Sequence, residues 1–309
     1  MKVQSGVTIK NRYIDLYLFL KSLSFILLFN LLFSINASAA GGVVKALQMP
    51  AWLERDGVAT ALKPGVILQQ KDKIITGKNA RMLIQMNEGS LIKLGEKAEL
   101  NFDALFPAEE AEGFFEATLR LVKGAFRFTT TELGKTGRRN VNVRIGSITA
   151  GIRGTDIWGS SKLDTDLLCL IEGNITAQRA GEPEFEMNEP LSFYVVPKNK
   201  PALPVSPVDS TQLTEWANET ELANGMGVLS VNGKWSVNLM SLASEVIAKS
   251  IKNSLTTAGF AVEIEKALVN GKNWYRLRIS NFKSREDASA FAKKIEGRNG
   301  ITQPWIIQF

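Results

Sequence analysis

A stretch near the C-terminus, Asn273 to Ser280, alternates two kinds of side chain at the two-residue period of a β-strand. One face would carry Tyr275, Leu277 and Ile279, and the other would carry Trp274, Arg276 and Arg278. Such a strand suits a sheet covered by helices on one side only, because the apolar face needs a core and the charged face needs solvent or a ligand. We therefore predict an open sheet face that presents an aromatic ring and two guanidinium groups.

The residues before this strand predict the first half of a small domain. A second alternating strand, Lys234 to Met240, precedes apolar residues at helical spacing from Ala243 to Ala258. Ser241 stands where an N-cap is expected and Gly259 ends the helical pattern. A strand from Phe260 to Ala267 and an Asn270-Gly271 turn then lead back antiparallel into the first stretch.

The residues after the strand complete the domain. Ser284 and Asp287 form a capping box ahead of a second helix, which Gly297 ends, and Ile301 to Phe309 closes the chain as a strand. The order β-α-β-β-α-β is the split βαβ arrangement, with four antiparallel strands and two helices on one face. We assign residues 231–309 to this α+β domain.

Two segments of the domain resemble the SPOR (sporulation-related repeat) family of bacterial envelope modules. VNLMSL, from Val237 to Leu242, stands at the first strand of that family, and WYRLRISNF, from Trp274 to Phe282, stands at its third. The departures from the residues usual in the family are Asn238, Met240, Ser280 and Asn281. The resemblance covers Trp235 to Phe309 and implies binding of peptidoglycan glycan strands that have lost their stem peptides.

The open face and the resemblance together give a set of candidate glycan-binding residues. They are Asn238, Ser241, Trp274, Arg276, Arg278 and Trp305. Aromatic rings can stack on sugars, guanidinium groups can bind carboxylates, and amide and hydroxyl groups can bind sugar hydroxyls. The plainer alternatives are that Trp274 and Arg276 are ordinary exposed or interface residues, that Ser241 is only a helix cap, and that Trp305 belongs to the core.

The first 39 residues predict an export signal. A basic segment is followed by a mostly apolar run of about 13 residues, Leu23 to Ile35, and then by Ala37-Ser38-Ala39. That run is short for a membrane span, which needs about 20 residues. We expect cleavage after Ala39 and a periplasmic protein, enriched at the septum if it acts in division. Retention of the segment as an anchor is the alternative.

The positive charge of the exported protein is concentrated in the C-terminal domain. Residues 231–309 hold 12 Lys and Arg against six Asp and Glu, within a chain of net charge +6. A basic sheet can also bind RNA. The aromatic pair that RNA-binding domains of this fold place on their central strands is missing, and the export signal argues against a cytoplasmic ligand. We therefore expect no nucleic-acid partner.

Residues 40–196 predict an all-β domain of short alternating runs and turns, with only a weak helical signal around Pro107 to Phe115. KDKIITGKNARMLIQMNEGSLIKLG, ITAGIRGTDIWG and EGNI within it resemble the periplasmic FecR domain. FecR regulators pass an external signal to a cytoplasmic anti-sigma segment. Only about 20 residues precede the apolar run here, so we do not expect that function.

The GIRGTD stretch is the candidate partner site of the β domain, through Arg153 and Asp156. Its partners would be ligands or other envelope and division proteins. The alternative is that Gly151 and Gly154 relieve a tight turn while Arg153 pairs with Asp156 or caps carbonyls inside the sheet.

Residues 197–230 predict a linker. Pro197, Pro201, Pro204 and Pro207 favour an extended spacer, and a short helix is expected around Leu213 to Leu222. We therefore expect two independent domains, one all-β and FecR-like and one α+β and SPOR-like, with the second tethered to the first.

The absence of histidine excludes Ser-His-Asp and Cys-His nucleophile systems and histidine-ligated zinc. The acidic residues Glu109, Glu110 and Glu112 lie in a polar run that favours a solvated surface over a glycosidase pair. Cys169 has no cysteine partner in the chain and is predicted to be a core residue, with pairing to another molecule as the alternative. We predict a non-enzymatic envelope protein without metal or cofactor, with an envelope sensor and a peptidoglycan-remodelling enzyme as the rival functions.

Overall fold

The computed structural model describes residues 41–106, 114–131 and 138–309, which fall within one compact unit. The predicted export signal, most of the weak helical signal after Pro107, and Glu109, Glu110 and Glu112 lie outside the described residues. No helix in the described part of the chain has the length and apolar character needed to cross a membrane.

In the described residues, the first domain is built of strands. They are β1 (Gly42–Gln48), β2 (Ala51–Arg55), β3 (Val58–Ala61), β4 (Ile67–Leu68), β5 (Lys73–Thr76), β6 (Arg81–Met86), β7 (Leu91–Leu94), β8 (Glu99–Phe106), β9 (Phe114–Thr129), β10 (Arg138–Ile145), β11 (Ile148–Ile152), β12 (Asp156–Ser161), β13 (Thr165–Glu172), β14 (Ile175–Arg179), β15 (Phe185–Met187), β16 (Ser192–Pro197) and β17 (Ser206–Pro207).

These strands form two sheets that enclose one core. The first sheet runs in the order β1-β6-β7-β9-β12-β13-β16-β17, with β4 beside the start of β1. The second runs β3-β2-β5-β8-β9-β10-β11-β14-β15. Alternate residues of the strands are fully buried between the sheets, and Phe102, Phe126 and Phe128 are the largest aromatic members.

Strand β9 belongs to both sheets and changes sheet at Gly124. Its first half pairs with β8 and β10, and its second half pairs with β7 and β12. Gly124 has a φ of +89°, and a Cβ atom there would lie 2.5 Å from the Cα of Ala98. Only glycine allows the backbone to bend this closely against its neighbour.

The second half of the predicted linker is packed against the β domain. Its helix α1 (Ser210–Thr220) is capped by Asp209, whose carboxylate accepts hydrogen bonds from the N–H groups of Thr211 and Gln212. Trp216 of α1 stacks on Trp158 of β12, with ring centroids 5.0 Å apart, and meets the edge of Phe193. The expected helix is present, and these aromatic residues pack it against the outer face of the first sheet.

The C-terminal domain has the predicted β-α-β-β-α-β order, preceded by one short additional strand. It contains β18 (Val228–Ser230), β19 (Trp235–Leu242), α2 (Glu245–Thr257), β20 (Glu263–Val269), β21 (Lys272–Phe282), α3 (Arg285–Ile295) and β22 (Trp305–Gln308). The strands of its sheet run β20-β21-β19-β22, all antiparallel. The predicted fold class, an all-β domain followed by a small α+β domain, is confirmed.

The helix caps agree with the sequence in one case and differ in the other. Ser284 caps α3 and exchanges hydrogen bonds with Asp287, as the capping box predicts. The cap of α2 is Ser244, which accepts a hydrogen bond from the N–H of Ile247. The prediction of Ser241 as that cap is wrong, because β19 runs on to Leu242 and keeps Ser241 within the strand.

The two domains are joined by strand pairing. Leu229 of β18 lies opposite Leu47 of β1 on one side and opposite Phe282 of β21 on the other. The indole of Trp52 donates a hydrogen bond of 3.0 Å to the carbonyl of Thr257 at the end of α2. The first sheet of the β domain therefore continues through β18 into the sheet of the C-terminal domain.

Candidate functional site

The central strand of the C-terminal sheet has the two faces that its alternation predicts. Leu277 and Ile279 are fully buried under α2 and α3, whereas Trp274, Arg276 and Arg278 are partly exposed on the opposite side. We call this second side the open face. Both helices lie on the other side of the sheet, so the open face remains accessible to a ligand.

Strand register brings the other candidates to the same face. Asn238 lies opposite Arg278 on β21 and opposite Trp305 on β22, and Ser241 lies opposite Arg276. Asn238 and Ser241 are three residues apart, which would place them on opposite faces of a regular strand. A bulge between Asn238 and Met240 shifts the register by one and puts both residues on the open face.

Arg278 is held in place by its neighbours. Its Nε donates a hydrogen bond of 2.8 Å to Oδ1 of Asn238, and it forms an ion pair with Glu265 of β20. Asn238 is 1% exposed, so its amide acts mainly within the sheet. This pair therefore builds the floor of the open face, and its guanidinium charge is already balanced.

Arg276 differs from Arg278 in having no hydrogen bond or ion pair with any residue that the structure describes. It is partly buried between Ser241 and Glu265 of the neighbouring strands. A partly desolvated guanidinium without a partner favours binding of an anionic group. Arg276 is thus the cation of the open face that is available to a ligand.

The two tryptophans mark two corners of the open face. Trp305 on the edge strand β22 is 39% exposed, which excludes the alternative that it belongs to the core. Trp274 lies two strands away on β21 and four residues beyond the row of Arg278. Strand geometry separates the two backbone positions by roughly 16 Å. The space between them is lined by the polar and charged residues just described.

Sequence reasoning missed the acidic border of the open face. Glu263 and Glu265 of β20 lie opposite Arg278 and Arg276. Glu263 also pairs with Lys63 of the β domain at 2.9 Å. The alternation of EIEKALV on β20 was the signal that could have placed both carboxylates there.

The two residues of the candidate partner site of the β domain lie in different environments. Arg127 of β9 binds Asp156 through two hydrogen bonds of 2.9 and 2.6 Å, which raises the pKa of Arg127. Arg153 is exposed and has no ion pair among the residues in view, so the alternative that it pairs with Asp156 is wrong. Asp156 therefore fixes the start of β12. Of the two candidate residues, Arg153 is the one that faces solvent.

A buried polar cluster supports the GIRGTD turn from below. Arg139 donates a hydrogen bond of 2.6 Å to Oγ1 of Thr130, which in turn accepts one from the N–H of Thr155. Burial raises the pKa of the nearby Glu88 and lowers that of Arg139. Across residues 41–106, 114–131 and 138–309, no group of three or more acidic or cysteine side chains is placed to hold a metal ion.

Comparison with known proteins identifies the domains. The family model described as SPOR domain matches residues 231–308, and the model described as FecR protein matches residues 72–176. Among solved structures, the chain is similar to two crystal structures of a candidate anti-sigma factor from Parabacteroides distasonis. The identities are 12% and 11% and the TM-scores 0.39 and 0.38, with 77% of this chain and 99% and 98% of those chains covered. No curated protein matches the sequence.

The two family matches agree with the resemblances read from the sequence. A SPOR domain implies peptidoglycan binding, and a FecR domain suggests protein partners in general. Both kinds of domain bind or signal and are typical of envelope proteins. The chain therefore contains a FecR domain followed by a C-terminal SPOR domain.

Proposed function

We propose that the protein binds peptidoglycan glycan strands through the open face of its C-terminal domain, with a preference for strands that lack stem peptides. The observation that carries this proposal is Arg276, a partly buried cation without a partner among the described residues. It lies on the same face as Trp274 and Trp305. An accessible cation between two aromatic rings is complementary to an acidic sugar chain.

The chemistry of a bare glycan strand fits each part of this face. Its sugar rings have apolar faces for Trp274 and Trp305, and its lactyl carboxylates can accept charge-assisted hydrogen bonds from Arg276. Ser241, beside Arg276, can bind a sugar hydroxyl. Asn238 and Arg278 position this surface. Stem peptides are joined to the lactyl carboxyl groups as amides, so they remove that negative charge and also block close approach, which gives a physical reason for the preference.

The binding experiment uses the protein from Ala40 to Phe309 and purified sacculi, with and without amidase treatment. Binding should rise after treatment, and Trp274→Ala should weaken it about thirtyfold, since loss of a binding hot spot costs about 2 kcal/mol. Arg276→Ala should weaken it similarly and reduce its salt dependence. The matched control is Arg285→Ala, because Arg285 is exposed at the start of α3 on the covered side of the sheet.

Equal retention on treated and untreated sacculi would overturn the preference for bare strands. Full binding by the Trp274→Ala, Arg276→Ala double variant would overturn the assignment of the open face. Release of soluble sugar fragments during the same incubation would instead support the rival function, a peptidoglycan-remodelling enzyme.

The proposed place of action is the periplasm. Cleavage after Ala39 would leave Ala40 as the first residue, and intact-mass measurement on fractionated cells tests this directly. Detection of residues 1–39 on protein from the membrane fraction would support an anchored protein. A fluorescent fusion that localises to the septum would connect the open face with division if the Trp274→Ala, Arg276→Ala variant loses that localisation.

A second role follows from the FecR match, which favours envelope signalling through a protein partner. Arg153 is the exposed charged residue of the GIRGTD turn. A photo-crosslinking residue at position 153 should therefore capture one partner in cells, whereas the same residue at the exposed Lys162 should not. Equal capture at both positions would remove the support for this site.

A further inference from the structure

A cavity of about 550 Å³ lies where the two domains meet, away from the open face. Three parts of the chain line it: β1 and the start of β6 from the β domain, the end of α1 with the residues after it, and α3 of the C-terminal domain. Because α3 covers the side of the sheet opposite the open face, the cavity and the open face are separate sites. Its volume is within the range of small-molecule sites in proteins.

Two cations in the cavity wall have no carboxylate partner among the described residues. Within the residues that the structure describes, Arg81 of β6 donates a hydrogen bond only to the carbonyl of Ala80, and Lys294 of α3 donates one to the carbonyl of Met49 at 3.1 Å. Burial lowers the pKa of Lys294, and the neighbouring Arg298 lowers it further. An anion in the cavity would therefore relieve an unfavourable environment at Lys294.

The carboxylate that lines the cavity does not meet this need. Glu221, just after α1, is bound by Lys93 of β7, with distances of 2.7 and 2.5 Å from Nζ to its two oxygens. Lys93 thus neutralises Glu221 from outside the cavity lining. The remaining charge on the wall is positive.

Amide groups supply the other polar contacts. Gln48 of β1 is only 7% exposed, and its Nε2 donates a hydrogen bond of 2.7 Å to the carbonyl of Asn79. Asn79 and Asn218 also line the cavity. Amides both donate and accept hydrogen bonds, so they suit hydroxyl, acetamido or peptide groups. Gln48 is the buried amide of this group, and Asn79 and Asn218 are exposed at the cavity rim. Together with the two cations, these amides favour a ligand with polar groups.

We propose that this cavity binds a small hydrophilic molecule carrying a carboxylate, with Arg81 and Lys294 holding the carboxylate and Gln48, Asn79 and Asn218 holding its hydroxyl or amide groups. Arg81 belongs to the β domain and Lys294 to the C-terminal domain. A ligand bound to both stabilises the contact between the domains. The proposal is independent of glycan binding at the open face.

The test measures ligand affinity by calorimetry and thermal stability on the protein from Ala40 to Phe309. N-acetylmuramic acid supplies a sugar carboxylate, D-alanyl-D-alanine supplies a peptide carboxylate, and N-acetylglucosamine is the matched sugar without the acid. One of the two acids should bind and raise the unfolding temperature, and N-acetylglucosamine should bind at least tenfold more weakly. The acid that binds identifies the source of the carboxylate.

Variants assign the binding to the cavity. Lys294→Gln and Arg81→Gln should each weaken binding of the acid at least tenfold, and Arg81→Lys should retain part of it. The matched control is Lys293→Gln, since Lys293 is the exposed neighbour on the same helix. Circular dichroism checks that each variant is folded. Trp274→Ala should leave binding of the acid unchanged, which distinguishes the cavity from the open face.

Three results would overturn the proposal. They are no binding of either acid, equal binding of N-acetylglucosamine, and unchanged binding of the acid by both Lys294→Gln and Arg81→Gln. Loss of binding in Trp274→Ala alone would assign the ligand to the open face instead.

Discussion

Asp287 of α3 accepts hydrogen bonds from the backbone N–H groups of Gly227 and Val228, at 3.1 and 2.9 Å. Its second oxygen accepts one from the hydroxyl of Ser284 at 3.0 Å. The side chain is fully buried, so these donors satisfy a carboxylate that water does not reach. Asp287 thus completes the capping box of α3 and fixes the first residue of β18, the strand that joins the two sheets.

Replacing Asp287 should therefore destabilise the protein more than the loss of a helix cap alone would. We expect Asp287→Ala to lower the free energy of unfolding by about 3 kcal/mol, because it leaves two buried N–H groups without a charged acceptor. Ser284→Ala, which removes the cap alone, should cost about 1 kcal/mol. Urea unfolding measures both. Equal losses in the two variants would show that the bonds to β18 contribute nothing.

Trp216 should stabilise the β domain although it lies in the segment between the domains. It is buried against Trp158 and Phe193, so Trp216→Ala should cost about 3–5 kcal/mol of unfolding free energy. The near-ultraviolet circular dichroism of the stacked indoles should change with it. Glu215→Ala, an exposed neighbour on α1, is the control and should change stability by less than about 0.5 kcal/mol.

Cleavage between the domains should not separate them. The exposed residues around Lys198 to Val205 are the expected site of limited proteolysis. The two products should elute together in gel filtration, held by the pairing of Leu229 with Leu47 and by the packing of α1 on the first sheet. Elution of two separate folded fragments would support the tethered domains that the prolines suggested.

The bend in β9 predicts a contrast between two glycines that both have positive φ. Gly124→Ala places a Cβ 2.5 Å from the backbone of Ala98, whereas nothing lies within 4 Å of that position at Gly154. Gly154→Ala should cost about 1–2 kcal/mol for the backbone alone. Gly124→Ala should cost at least about 2 kcal/mol more, since the strand must move. Thermal or urea unfolding of the pair decides this.

Cys169 should be unreactive while the protein is folded. Burial raises the pKa of its thiol to about 12, so the nucleophilic thiolate is scarce at pH 8. A thiol reagent should label it only after unfolding. Because the neutral thiol is favoured in the fold, its contribution to stability is full below about pH 9, the unfolded pKa, and is lost as the pH rises toward 12. Cys169→Ala should lack this alkaline loss, and rapid labelling of the native protein would contradict the assignment.

Local pattern was enough to predict the C-terminal domain, since each of its elements carries its own signal. The alternation around Leu277 placed the open face, and Asn270 and Gly271 form the expected turn with φ of 50° and 74°. Ser241 was predicted to be a cap because it precedes a helical pattern. A serine at the end of a strand gives the same sequence signal. The bulge that turns it to the open face depends on pairing with β21, which no local pattern contains.

Long-range pairing was beyond sequence reasoning in the β domain and at the junction. The linker sequence predicted a helix near Trp216 but not where it packs, because Trp216 lies against Trp158 at a site formed only when β12 is folded. Arg153 and Asp156 are close in sequence, which suggested an ion pair. Arg127 reaches Asp156 instead, from the neighbouring strand. The junction cavity likewise requires elements far apart in the chain.

The pairing of Leu229 with both Leu47 and Phe282 also limits how far the two domains can move relative to each other. A flexible tether lets a bound partner explore a volume around the cell wall, at an effective concentration set by the length of the chain. If the open face binds a glycan strand as proposed, a continuous sheet would instead hold a partner of the β domain at one distance and one angle from that strand. The protein would hold the cell wall and the partner at a fixed spacing. A partner of the wrong size or orientation would be excluded by geometry alone.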